Sequence, residues 1–556
     1  MAHSRLNAWL AAAGVLWSLV GCNGTIEEPP PLEGPIVDLP DVPDDEDGDG
    51  LPDTLIPAAS GLRRLTRAQY INSVFDLTGL RIDPAIDNDL ASNGSVSVGT
   101  TRTTISPRAV EQYEDAAFDI AAQVVADETA RARVVSCDPA IAGDDACLQE
   151  FVEGFGRNAW RRSLSDEEVA RYLAVTMNAA NVLGDFWGGV EFGVAGLLQS
   201  PNFLFRVELG DGAAVGEGES AGHLYSDHEM ASRISFAICN TTPDRELLDA
   251  ADAGTLSGLS GLRAEVERLA ASECATEAIR GLFEEVVGLT EGHFVKDEVE
   301  FPDLSPTLGD SLQESLLSTL EAWVMEDNVS YRQFFTRSDA EVNGEVAELY
   351  GLEPGAARGF ARAELPENRR GILSHGAVLA RHAHAESSSP TLRGKFVRVS
   401  LLCQTIPPPP DDVGELPEPS TDAPTRRERL AAHRENMACA GCHNLMDPIG
   451  LALENYDGVG AWRDTENGAL IDASGELDGV TYNDAVGLGE AVSEHPNLME
   501  CLVRNFYRYA GGHIETSGET RTILQLKRSF EESGFIRDLL VELMLSEGFR
   551  TAGEPQ

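Results

Sequence analysis

Positive charge is scarce in this 556-residue chain: 42 Lys and Arg stand against 92 Asp and Glu, a formal net charge of −50. A surface so negative repels phosphate backbones and anionic lipid, which argues against nucleic acid as a partner. Long apolar runs are scarce too. After residue 20 no stretch is long and apolar enough to span a bilayer, which takes about 20 residues. The chain lacks a G-x-S-x-G elbow, a Walker loop, a dinucleotide-binding fingerprint on a strand–helix turn and a His-Glu-x-x-His pair, so no familiar hydrolase or nucleotide enzyme is indicated. Paired carboxylates would leave no such trace. Alternating β-type runs are few, and there is no short-period repeat. With 42 % hydrophobic and 24 % charged residues the chain is nonetheless an ordinary globular composition, and its length calls for several units.

Arg5 precedes an apolar stretch from Ala8 to Val20, which ends in Leu19-Val20-Gly21-Cys22. This resembles the bacterial lipobox, whose cysteine is lipidated and becomes the mature N-terminus; the bland alternative is a signal peptide with a coincidental Cys22. Export is expected on either reading. Residues 1–21 are thus a signal peptide, and 22–60 an acidic, proline-rich tether. From Asn23 to Ser60 there are eight prolines, eleven acidic residues and no Lys or Arg, a composition that favours a solvated spacer. Within it, Asp45-Glu46-Asp47-Gly48-Asp49-Gly50-Leu51-Pro52-Asp53 matches the first half of a calcium loop. Ile56 stands where the bidentate Glu belongs, so weak calcium binding competes with a plain acidic linker.

The body reads as helix after helix, a mainly α fold of several small modules. Capping boxes open helices at Thr66-Arg67-Ala68-Gln69, Ser165-Asp166-Glu167-Glu168 and Ser226-Asp227-His228-Glu229. Apolar spacing predicts further helices over Pro107–Asp127, Leu312–Met325, Arg370–Arg381, Thr425–Met437 and Thr520–Leu545. Seven prolines between Pro407 and Pro424 predict a stiff polyproline II strut that sets one unit against the next.

Directly after that strut comes Cys439-Ala440-Gly441-Cys442-His443, the attachment pattern of a c-type haem. Two thiols on one helical turn can form thioethers to the two vinyl groups, and the adjoining His443 reaches the iron. A zinc site would need two further close ligands, a redox pair would sit beside a βαβ pattern, and a disulfide across this spacing is sterically tight. One covalent haem c is therefore expected. The sixth iron ligand stays open among His433, Met499 and Met446, with His384 and His513 as outsiders; Met446 could equally be packing. His382-Ala383-His384-Ala385-Glu386 offers donors at spacings that point apart on a helix. Arg393 is a candidate partner for a haem propionate.

Six further cysteines, Cys137, Cys147, Cys239, Cys274, Cys403 and Cys501, suit disulfides in an oxidising compartment. Fifteen pairings exist; Cys137 with Cys147 is favoured by proximity, and Cys403 with Cys501 would staple the segment before the strut to the C-terminal helices.

Several runs resemble the planctomycete-type cytochrome-c-domain proteins, exported bacterial proteins of unknown function. Leu62–Tyr70 with Asp76-Leu77-Thr78-Gly79-Leu80 is similar to their N-terminal module, and Leu197–Glu208 to the start of the next. Ala231–Ser235 and Pro243–Leu248 resemble the central module. Ser389-Pro390-Thr391-Leu392-Arg393-Gly394, His433-Arg434, Cys439–His443 and Asp447–Asp457 resemble the haem module. The resemblance implies modules at 61–135, 136–212, 220–360, 366–468 (haem, with the strut) and 469–550, ending in a cytochrome-c-like helical unit. It also supports His433 as a distal ligand or haem contact. Tyr509-Ala510-Gly511-Gly512-His513 departs from the family's Tyr-Ala-Leu-Gly-Arg, and Cys239 stands where Trp is commoner. The expectation is an exported, lipid-anchored single-haem electron-transfer protein of the periplasm or outer membrane. It would have an unidentified redox partner and touch the membrane only through its anchor. The alternatives are an envelope oxidoreductase with a substrate pocket in the helical modules, and a surface scaffold with structural haem.

Overall fold

A computed structural model describes residues 50–554 apart from 292–294, 303, 354–358, 408–415 and 435–436; at 219, 291, 432–434 and 437–438 only the backbone is described. The segment expected to be a signal peptide, Cys22 and the calcium-like run up to Asp49 lie outside the described residues. The fold is mainly α, with only short strands between the helices. The three capping boxes form as the sequence dictates, at Thr66, Ser165 and Ser226.

The apolar faces of these helices gather into two cores. One runs from Tyr70 to Leu204, joining the first two sequence modules; the other runs from Tyr225 to Ala552 and joins the remaining three. Strand Gly61–Arg64 pairs antiparallel with Phe205–Glu208, register Arg63↔Arg206, and so closes the first core into a loop. That pairing also delivers Arg63, Arg206 and Glu208 to one buried point. There Glu208, with no solvent exposure, accepts from Arg63 Nε at 2.6 Å and from Arg233 Nη1 of helix Asp227–Ile238, and Arg206 Nε lies 3.3 Å away. Arg63 also donates to Gly512 O (3.1 Å) and Arg233 to Phe549 O (3.2 Å), so stretches from four of the modules meet here. Burial alone would raise the Glu208 carboxyl, but Arg233, Arg206 and Arg63 overcome it and hold the group at about 2.

Disulfides join Cys137 to Cys147, Cys239 to Cys274 and Cys403 to Cys501.

Three expectations change. The tether does not stay solvated as far as Ser60. Leu51 and Leu55 are buried, Arg521 donates to Pro52 O at 2.6 Å, and Ile56 N donates to Gly518 O at 2.9 Å, so residues 50–60 dock on the C-terminal helices. The helix expected over Thr520–Leu545 is two, Thr520–Ser533 and Ile536–Leu545, because Gly534 takes a left-handed φ of 75° and caps the first. The proline run does not separate units either. The helices on its two sides, Pro390–Phe396 and Met437–Gly450, are in backbone contact, since a Cβ on Gly394 would sit 2.0 Å from Met446 O and one on Gly450 1.7 Å from Pro390 O. The segments on its two sides belong to one packed unit.

Candidate functional site

The helix Met437–Gly450 carries Cys439, Cys442, His443, Met446 and Asp447. Pro448 in its last turn removes a backbone donor, and the chain tightens into the 3-10 turn Leu451–Leu453. The preceding helix, Arg426–Arg434, is anchored at its N-terminus by Glu428, which accepts from Thr425 N at 2.7 Å, and by Glu466, which accepts from Arg426 N at 2.6 Å and Arg429 Nη2 at 2.9 Å. Glu466 is presented by a two-residue hairpin whose Asn467 and Gly468 both have positive φ, the mirror-image turn that Asn-Gly favours. Asp478-Gly479 makes the same turn between Gly475–Leu477 and Val480–Tyr482. Asn467-Gly468 and Asp478-Gly479 are the hairpin signals that the sequence carries in this region.

Cys439 and Cys442 are half-buried thiols outside the three disulfides. Three residues apart on a helix, they share one face. The Cys442 thiol donates to Pro407 O at 3.3 Å. His443 Nδ1 lies 3.1 and 3.0 Å from the two carboxylate oxygens of Asp447, one turn on along the same helix. Asp447 has no solvent exposure, and Thr391 Oγ1 of the crossing helix donates to it at 2.9 Å. A carboxylate only accepts, so Nδ1 carries the proton and Nε2 is the ring nitrogen that bears the lone pair. Arg398 Nε ties Leu445 O (2.9 Å) to this wall, and its Nη1 reaches Asp478 at 2.7 Å. Thr391 and Asp447 stood in the sequence only as parts of runs resembling the haem module, without a role, and Arg398 did not stand out at all; a His-x-x-x-Asp spacing on a helix was the available signal for Asp447.

The donor set fits a c-type haem. Two thiols outside disulfides share a helical turn, and next to them stands a histidine whose inner nitrogen is already occupied by a buried acceptor. Among the described residues no group of three or more His, Cys, Asp or Glu is placed to hold a free metal ion.

The other candidates fall as follows. The side chain of His433 lies outside the described residues, although its backbone is on the Arg426–Arg434 helix. Met446 is buried on the same helix as His443, and its carbonyl packs at the Gly394 crossing. Met499 is 1 % exposed within the large core, on helix Asn497–Gly511. His513 Nε2 is engaged by Glu519 at 2.9 Å. His382 stacks on Phe396, ring centroids 4.3 Å apart, while His384 and Glu386 are exposed, so the alternating cluster diverges. Arg393 is a correction to the propionate reading. It is 1 % exposed and spends its guanidinium on Leu453 O and Tyr456 O (both 2.8 Å) and Leu379 O (3.3 Å), with Glu454 at 3.6 Å. It braces the segment after the cysteine helix instead.

Beside the end of that helix, where Tyr482 donates to Pro448 O at 3.3 Å, lies a groove of about 850 Å³ lined by Gln404, Asp478, Tyr482, Asp484, Glu490 and His495.

Five family models match in succession, each described as a protein of unknown function: DUF1587 at residues 63–126, DUF1595 at 147–208, DUF1592 at 225–352, DUF1588 at 369–466 and DUF1585 at 478–549. No curated protein and no solved structure matches the chain. The site lies inside the fourth of these segments, and their order from end to end is that of one architecture: the chain belongs to the planctomycete-type cytochrome-c-domain protein family.

Proposed function

We propose that the protein is an exported, lipid-anchored electron-transfer protein of the cell envelope. It carries one haem c bound through Cys439 and Cys442, with His443 as axial ligand. The observation that supports this most directly is the pairing of two helix-adjacent thiols outside the disulfides with a histidine oriented by a buried carboxylate. When bound, such a haem supplies a one-electron couple. The protein's own residues would hold it covalently, fix His443 by its Nδ1–H, and brace the following segment through Arg393. Three disulfides accord with an oxidising compartment, and Cys22 would provide the anchor. With a net charge of −50 the protein would steer a basic redox partner.

A second reading, an envelope oxidoreductase, draws on the groove of about 850 Å³, one of whose lining residues, Tyr482, donates to Pro448 O of the cysteine helix. Expression with a cytochrome c maturation system tests both. Haem retained after denaturing extraction, at one per chain by pyridine haemochrome and lost in Cys439→Ala/Cys442→Ala, supports attachment. No haem while a control cytochrome matures in the same cells overturns it. A native spectrum unmoved by carbon monoxide or imidazole favours electron transfer, and an exchangeable position favours the oxidoreductase. His433→Ala and Met499→Ala, read by the ferric spectrum, test the two candidates for the second axial position.

A further inference from the structure

We propose that Asp447 is a positioning residue that makes His443 a strongly donating ligand and so sets the haem at a low reduction potential; this rests on the covalent-haem reading above. A buried carboxylate accepting from a metal-bound imidazole draws the Nδ1 proton toward itself and pushes electron density onto Nε2, which raises the basicity of the ligand. Added electron density favours ferric over ferrous iron, so the potential falls. The geometry is specific. Asp447 has no solvent exposure, both its oxygens stand within 3.1 Å of His443 Nδ1, and the pair spans one helical turn, so the ring and the carboxylate are fixed by the same backbone.

Thr391 tunes the strength of that acceptor. Its hydroxyl donates to Asp447 Oδ1 at 2.9 Å and competes with His443 for the same charge. The crossing of the two helices holds this hydroxyl in place, because neither Gly394 nor Gly450 leaves room for a Cβ. The run Ser389-Pro390-Thr391-Leu392-Arg393-Gly394 thereby acquires a function along its length. Ser389 caps the helix, Thr391 grades the carboxylate, Arg393 braces the segment beyond, and Gly394 permits the contact.

The test uses the haem-loaded full chain in three forms: wild type, Asp447→Asn and Thr391→Val. Pyridine haemochrome first establishes attachment in the wild type, and its absence defeats the covalent-haem reading rather than this one. Potentials are then measured by spectroelectrochemistry, with ferric electron paramagnetic resonance to report the ligand field. Asp447→Asn, which keeps the shape and removes the charge, should raise the potential by at least the equivalent of a tenfold change in ferric-over-ferrous preference, 59 mV for a one-electron couple. Thr391→Val, which keeps the carboxylate and removes its competing donor, should lower the potential. Both variants should shift the ferric g values, in opposite senses. A general loosening of the helix would move the two the same way, and that outcome overturns the proposal, as does an unchanged potential in loaded Asp447→Asn. If Asp447→Asn fails to fold or to load haem, Thr391→Val decides alone: a fall supports the proposal and no change or a rise overturns it.

Discussion

Around Glu208 the chain buries three arginines against one carboxylate, whereas on helix Met437–Gly450 it sets one buried carboxylate against one imidazole, beside two thiols that are in no disulfide. At the junction every strong donor is aimed inward. Arg63 and Arg233 finish on backbone carbonyls, and Arg233 also lies over the rings of Tyr225 and Phe549 at 4.2 and 4.3 Å. At the cysteine helix the charged pair is a single carboxylate and a single ring, and the neighbouring thiols are half-buried. The difference separates a junction that holds modules together from a helix proposed to hold a cofactor, and it can be broken or sharpened by substitution.

The largest effect belongs to Glu208→Gln. It keeps the volume and leaves three buried guanidinium groups without their carboxylate, an uncompensated charge that costs about 4 kcal/mol. Urea unfolding should show this loss for the unloaded chain at pH 7. The carboxyl sits at about 2, below the ordinary 4.5, so the stability it contributes is complete above about pH 4.5 and is lost as pH falls toward 2. Wild type should therefore lose stability across that window, and the variant should lack this part of the slope. A variant within 1 kcal/mol of wild type would dissolve the distinction between the two regions.

Arg393→Met comes next, at about 3 kcal/mol, from carbonyls of Leu453, Tyr456 and Leu379 stranded in the interior at roughly 1 kcal/mol each. Its loss should also speed amide exchange in residues 453–457, beyond the cysteine helix, while exchange in strand Gly61–Arg64 stays as it was. Equal acceleration in both places would show that the two regions are one cooperative unit.

How much of this the sequence disclosed follows from distance along the chain. The cysteine helix was legible because Cys439, Cys442 and His443 are consecutive or one turn apart, and the capping boxes at Thr66, Ser165 and Ser226 because a cap is a four-residue event. The junction was not. Arg63, Glu208, Arg233 and Gly512 are brought together only by the pairing of two strands 145 residues apart and by helices from other modules. Asp447 lay in plain view but looked like part of a run, since nothing in a linear pattern says that a carboxylate one turn after a histidine is buried. Arg393 misled for the opposite reason: an arginine near a haem motif suggests a propionate, and only the fold shows that its Nη1 and Nη2 go to buried backbone carbonyls.

Glu284 sharpens the contrast by having too little compensation. Burial raises its carboxyl to about 7, with Arg280 opposing and Glu277, Glu285 and Glu314 reinforcing the rise. The folded state thus keeps a proton that the unfolded chain releases near 4.5, and stability falls as pH climbs from about 4.5 to about 7. Glu284→Gln should remove that cost, stabilising the protein by about 2 kcal/mol at pH 8 and by almost nothing at pH 4.5, as read from paired thermal melts. Destabilisation at pH 8 would mean that the charge is compensated after all, as at Glu208.

The smallest effect is expected where the function is proposed. Cys439 and Cys442 are half-buried, in no disulfide, and on a helix whose packing against Pro390–Phe396 runs through Gly394, Gly450 and Thr391 rather than through either thiol. Replacing both with alanine removes little buried surface and leaves the Asp447–His443 bond in place. The unloaded double variant should unfold within about 0.5 kcal/mol of the unloaded wild type, the scale of substitutions that disturb no packing or network. Residues kept for their fold resist such replacement, as Glu208 should. Residues kept for a ligand tolerate it until the ligand is supplied, so the same pair of alanines should abolish retention of haem under maturation conditions. A loss above 2 kcal/mol in the unloaded chain would make the thiols part of the scaffold and place both regions in the same structural role.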